Sequence, residues 1–223
     1  MTVLQLRLNQ KLYAKDPQST DLGSRIVSKG ITLIDKLGFE SFTFKKLSIE
    51  IDSTEASVYR YFENKHRLLV YIMTWYWAWL EYRIQFETHN IEDAKKALDI
   101  ALKIIGEEKK NDDTFPNVDE AALQRIVIAE SDKTFFTKQV DEDNKEGLFK
   151  GYKSLCNLIG NLVAKVNPDF HYPNALSNMI LEAANQQVFF ANHLPSLTEI
   201  SEDNSPFDKL HKFITTVVFK TIS

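Results

Sequence analysis

The side chains of this chain that are able to do chemistry crowd into one short run. Between positions 59 and 67 stand Tyr59, Arg60, Tyr61, Lys65, His66 and Arg67. Phenols, guanidinium groups and an ammonium at this density suit contact with phosphates and base edges. They do not form a set for breaking bonds. Elsewhere no G-x-G-x-x-G, G-K-[ST], G-x-S-x-G, H-E-x-x-H or C-x-x-C occurs. Histidines 66, 89, 171, 193 and 211 lack metal-ligand spacing, and Cys156 has no second cysteine to pair with. The acidic pairs Glu107-Glu108 and Asp112-Asp113 read as solvated loop charge. Neither an enzyme nor a metal or cofactor site is expected.

The elements that position this run span Thr43 to Lys65, TFKKLSIEIDSTEASVYRYFENK. Thr43 caps a first short helix, with Phe42 and Leu47 as a hydrophobic staple and Phe44, Leu47 and Ile51 on one face. Asp52-Ser53 makes a turn, and Thr54 caps a second helix whose Glu55 suits the helix dipole. Val58 and Phe62 point inward there, leaving Ala56, Ser57, Tyr59 and Arg60 outside. That face is small at its start and carries a phenol and a guanidinium further on, as a helix-turn-helix recognition helix requires. An ordinary surface helix of a bundle would show the same pattern. Asn64 then caps a third helix whose first turn holds Lys65, His66 and Arg67, the wrong sign for a helix N-terminus. A docked anion such as a DNA phosphate would relieve that conflict; the other reading is solvated surface charge.

Thr43 through Leu68 resembles the DNA-binding core of the tetracycline-repressor (TetR/AcrR) family of bacterial regulators. The family pattern is close to T-x-x-x-I-A-x-x-A-G-V-S-x-G-T-L-Y-x-Y-F-x-x-K-x-x-L. Leu47, Thr54, Ala56, Ser57, Val58, Tyr59, Tyr61, Phe62, Lys65 and Leu68 stand at matching or near-matching places. The Y-x-Y-F-x-x-K run is the most specific part. Where the family has A-G-V this chain has Ile51, Asp52 and Ser53; Asp tolerates the left-handed conformation a turn there needs. The resemblance covers about a tenth of the chain. It implies an all-α protein, with an N-terminal three-helix helix-turn-helix domain and a C-terminal helical bundle for ligand binding and dimerisation. It further implies a homodimer repressing from a pseudo-palindromic double-stranded operator. Thr43, Tyr59, Tyr61 and Lys65 would then hold phosphates, as the matching positions do in the family; by their own place and chemistry Glu55, Ala56, Ser57 and Arg60 are expected at base edges, and Thr54 completes the DNA-facing set.

Composition agrees with an ordinary helical globular protein. The chain has 223 residues, 43% hydrophobic and 26% charged, with few glycines and prolines. No apolar run approaches the ~18–20 residues of a membrane span. Arg7, Lys11 and Lys15 interrupt the apolar start, which argues against a signal peptide, and the expected location is cytoplasmic. The net charge of −4 divides unevenly: residues 1–70 carry eleven Lys/Arg against eight Asp/Glu, a basic head on an acidic remainder.

The expected division is an N-terminal extension over 1–18, a helix-turn-helix domain over 19–68 and a ligand-binding and dimerisation domain over 69–223. The extension reads either as a basic arm for DNA or as leucines packed on the protein. A helix introduced by Pro17 to Thr20 runs to Leu37, stopped by Gly38. From Lys65 to about Thr88 the pattern stays helical, with Tyr71, Trp75, Trp79, Tyr82 and Phe86 on one face. That stripe is either core or, through Trp75, Trp79, Tyr82 and Phe86, the wall of a cavity for an unidentified small-molecule effector. Asn90, Glu92 and Asp93 restart a helix, a capping box opens another at Asn117–Glu120, and Phe135 and Phe136 should anchor the charged stretch after it. The last two helices, from Pro173 and from Ser205-Pro206, supply Ile180, Ala184, Val188, Phe213 and Val217 as the expected dimer face. A helical small-molecule-binding or interaction protein that never touches DNA is the alternative.

Overall fold

Short polar side chains at chain reversals set most of the helix starts. The computed structural model describes residues 6–111, 115, 118–202 and 206–223, and among these it contains helices and no strand. Thr20, Thr43, Thr54, Asp93 and Asp119 each accept a backbone N–H from the first turn of the helix that follows. The resulting helices are α1 (Asp21–Leu37), α2 (Phe44–Glu50), α3 (Glu55–Tyr59), α4 (Lys65–Thr88), α5 (Ala94–Gly106) and α6 (Glu120–Glu130). They are followed by α7 (Asp132–Phe135), α8 (Val140–Lys145), α9 (Lys150–Val166), α10 (Pro173–His193) and α11 (Pro206–Thr221). Asp93, not Asn90, caps α5. Gly38 ends α1 at φ +73°, a backbone conformation that costs a glycine little. The expected cap at Ser205 and the Asn117 start lie outside the described residues.

The chain divides into two compact units. The first joins Met1–Trp77 to Lys109–Gly151, the second Ala78–Glu108 to Tyr152–Ser223. Helices α6 to α8 therefore group with the N-terminal helices, whereas a boundary near residue 68 would assign them to the C-terminal body. Long-range ties account for it. Arg125 forms a bidentate pair with Asp35 at 2.9 and 2.8 Å. Glu130 accepts the Phe39 N–H at 2.9 Å, and Lys133 lies between Glu130 and Glu40 at 2.7 and 3.1 Å.

In the first unit the core collects Ile26, Ile31 and Ile34 of α1, Phe42, Leu47, Val58 and Phe62 around α2 and α3, and Leu68. Helix α4 is buried around nearly its whole circumference from Leu68 to Trp77. Its aromatic stripe is accordingly core over most of its length. Tyr71 meets Phe62 and Tyr13 edge-on, and Trp75 meets Phe115 edge-on at 5.2 Å. In the part of α4 that belongs to the second unit Trp79 is buried, Tyr82 half-buried, and Phe86 is 71% exposed, so Phe86 lines no enclosed wall. Phe135 packs against Phe149 at 5.2 Å, but Phe136 is 84% exposed and anchors nothing.

In the second unit α11 packs on α5 and α10. A Cβ on Gly106 would lie 3.2 Å from the His211 Cα, a close approach that favours glycine. Leu176, Ile180, Leu181, Ala184 and Val188 of α10 are buried, as are Leu210, Ile214 and Val218 of α11. Ile180, Ala184 and Val188 thus belong to the unit's own core and are not available as a dimer face. Phe213 remains 43% exposed and Val217 half-buried.

Candidate nucleic-acid interface

The helix-turn-helix is built from local chemistry. Thr43 Oγ1 accepts the Lys46 N–H and Thr54 Oγ1 the Ser57 N–H, both at 3.2 Å. Between the helices Asp52 takes φ +49°, the left-handed turn anticipated for it, and the Ser53 N–H reaches the Ser48 carbonyl at 2.9 Å. Phe44, Leu47, Ile51, Val58 and Phe62 are buried beneath. α3 proper has only five residues, because its chain turns at Arg60 toward Asn64.

Of the nine expected DNA-facing residues, Thr43, Thr54, Glu55, Ala56, Tyr59 and Arg60 are exposed. Ser57 is half-buried, its Oγ 3.0 Å from Thr54 Oγ1. Tyr59 is 52% exposed and is held by an edge-on contact of its ring with Phe44 at 5.0 Å. Helix α2 adds exposed Lys45 and Lys46, which the sequence reading passed over although both lie in the first turn after Thr43.

Tyr61 and Lys65 do not stand free for phosphate. Tyr61 is 2% exposed, and its phenol oxygen lies 2.8 Å from Thr20 Oγ1. That hydrogen bond holds the phenol below its usual range, with Lys15 and Arg60 nearby adding to the effect. Lys65 Nζ donates to the carbonyls of Phe39, Glu40 and Phe42 at 3.0, 3.2 and 3.4 Å, and sits 4.6 Å from the Phe39 ring centroid. Its ammonium ties down the loop entering α2.

The electrostatic conflict at the start of α4 is also resolved within the chain. Asn64 caps the helix, accepting the Arg67 N–H at 2.9 Å. His66 Nε2 lies 3.3 Å from Asp143, and Arg67 lies 3.5 Å from Asp143 and 2.7 Å from Glu146. The Asp143 side chain is only 4% exposed. These carboxylates come from α8 and the turn after it, more than seventy residues downstream, and no local pattern announces the pairing.

No cluster of His, Cys, Asp or Glu among the described residues could hold a metal ion. Burial pushes the Cys156 thiol up to about 11, with Glu182 nearby adding to the effect.

No protein-family model matches the sequence, and no curated protein sequence matches it either. Solved structures do. A bacterial regulatory protein in the TetR family from Rhodococcus RHA1 aligns over 92% of this chain and 98% of its own, at 12% identity and a TM-score of 0.62. The transcriptional regulator FadR from Bacillus subtilis, in complex with stearoyl-CoA, aligns over 89% and 98%, at 13% identity and a TM-score of 0.63. AibR, in complex with isovaleryl coenzyme A and operator DNA, aligns over 87% and 96%, at 12% identity and a TM-score of 0.59. Agreement over nearly the full length of each neighbour, joined to the capped helix-turn-helix near the N-terminus, establishes that this chain has the fold of the TetR-family regulators.

Proposed function

We propose that this protein is a ligand-responsive, DNA-binding transcriptional regulator of the TetR family, which binds a pseudo-palindromic operator as a homodimer and represses from it. The observation that carries the reading is the outer face of α2 and α3. Small Ala56 at the start of α3 permits close approach to a groove, and exposed Tyr59 and Arg60 follow on the same element. Glu55, Ala56, Ser57 and Arg60 would read base edges. Thr43, Thr54 and Tyr59 would hold phosphates, with exposed Lys45 and Lys46 supplying charge.

Dimerisation would use the last two helices. Met179 of α10 and Phe213 of α11 are 48% and 43% exposed, and half-buried Val217 lies one turn beyond Phe213. A second copy would cover such side chains. The effector would bind the helical body, with half-buried Tyr82 as first candidate and acyl-CoA thioesters as the first class to screen, since two of the neighbours hold one. Unbroken α4, about 36 Å long at 1.5 Å per residue, would carry the response. No helix among the described residues is long and apolar enough to cross a membrane, and the proposed location is the cytoplasm.

Arg60→Ala should change which duplexes are preferred, because a bidentate contact to a base edge is worth about 1–3 kcal/mol of discrimination. Competition between operator and random duplexes measures it. An equal loss on both would remove Arg60 from the reading set. A wild-type chain indifferent to all duplexes at low salt would leave the DNA-independent binding protein as the better reading.

A further inference from the structure

We propose that the N-terminal strap, residues 6–16, is a second DNA-contacting element, which brings Lys15 to a backbone phosphate beside the end of the recognition helix. The inference rests on the reading of this protein as a DNA binder and adds a contact outside the helix-turn-helix.

The strap is pinned at several points. Leu12 is fully buried, and Tyr13 meets the Tyr71 ring edge-on at 6.1 Å. Asn9 donates from Nδ2 to the carbonyls of Glu146 and Gly147 at 3.1 and 2.8 Å. The Ala14 N–H donates to the Tyr61 carbonyl at 2.8 Å. A segment held this way keeps its next residue in a defined place, so the cost of ordering Lys15 is met largely before any ligand arrives.

That place adjoins the recognition element. Lys15 Nζ lies 5.1 Å from the centroid of the Tyr61 ring, and both Lys15 and Arg60 act electrostatically on the Tyr61 phenol. Two cations from segments forty-five residues apart thus stand around one side chain, and both are exposed. No ion pair among the described residues engages Lys15 or Arg60. Three carboxylates close to them in sequence have other partners. Asp16 accepts the Gln18 N–H at 2.9 Å, Asp21 pairs with Arg25 at 3.3 Å, and Glu63 lies 3.9 Å from Arg67. Lys15, held at the Tyr61 phenol, and Arg60 together make the potential there positive, and a phosphate docked on Lys15 is attracted to it while Arg60 stays available for a base edge. A duplex backbone supplies one, because Tyr61, against which Lys15 lies, directly follows exposed Tyr59 and Arg60 in the chain, and phosphates recur along each strand.

The test uses the full chain and compares Lys15→Gln, Lys15→Arg and the control Lys220→Gln, whose lysine is exposed in α11. Binding to an operator selected with the wild-type chain and to a random duplex is measured across a salt series, with a thermal melt for each variant. Lys15→Gln should lower the slope of log affinity against log salt by about 0.9. It should also weaken operator and random duplex by the same factor. Lys15→Arg should restore the wild-type slope, and Lys220→Gln should leave it unchanged. A wild-type slope for Lys15→Gln overturns the inference while leaving DNA binding intact, as does a lowered melt with no change in slope. Failure of the wild-type chain to bind any duplex overturns both the inference and the reading beneath it.

Discussion

Asp143→Ala will destabilise the protein by about 3 kcal/mol. Its carboxylate is almost fully buried and faces two basic side chains, His66 at 3.3 Å and Arg67 at 3.5 Å. Removing one partner of a buried ionic cluster leaves the others desolvated and short of a counter-charge, a cost of about 3–5 kcal/mol where the pair is fully enclosed. Arg67 retains Glu146 at 2.7 Å and its side chain is 18% exposed, so the lower end of that range applies. Chemical denaturation of the variant measures the loss. The double variant Arg67→Met/Asp143→Ala should be less unstable than the sum of the single changes, because the charge left stranded by the first is removed by the second. Additive effects, or a single-variant loss below about 0.5 kcal/mol, would show that the cluster does not hold α8 to the start of α4.

Lys65→Met is expected to cost about 2 kcal/mol, and its effect should appear in stability before it appears in DNA binding. The ammonium is bonded to the carbonyls of Phe39, Glu40 and Phe42, and hydrogen bonds from a charged donor are worth about 1.5–3 kcal/mol each where water is excluded. Part exposure of the site reduces the total. Methionine keeps the apolar stem against the Phe39 ring and removes only the donors. The loop from Gly38 to Phe42 should then loosen, which faster amide exchange at Phe42 would report; its N–H is bonded within that loop. A variant as stable as wild type whose salt slope falls by about one unit would instead assign Lys65 to a phosphate.

The division between what the chain discloses locally and what it does not follows from the range of the interactions. Caps at Thr43 and Thr54, the left-handed Asp52 and the inward Val58 and Phe62 are all settled within a few residues, and they were legible. So were Pro173 as the first residue of α10 and the extent of α4 from Lys65 to Thr88. The pairings of Arg67 with Glu146 and of Arg125 with Asp35 cross 79 and 90 residues. Charge type alone cannot choose such partners, and that is why Lys65, His66 and Arg67 looked like a phosphate site. Helix α10 failed for a different reason. Ile180, Ala184 and Val188 make a proper apolar stripe, but a stripe does not say whether its cover is the same chain or a second copy. Here the same chain covers it.

The central claim is that the surface from Thr54 to Arg60 lies in the major groove of DNA and is presented twice by a symmetric dimer. Selection of bound sequences from a pool of random duplexes, using the purified full chain at low ionic strength, tests it most directly. The account predicts an enriched, two-fold symmetric consensus with half-sites about one helical turn apart, or a multiple of that, roughly 10 base pairs. A pool that emerges unenriched, or one dominated by a single half-site with no symmetry mate, would contradict it.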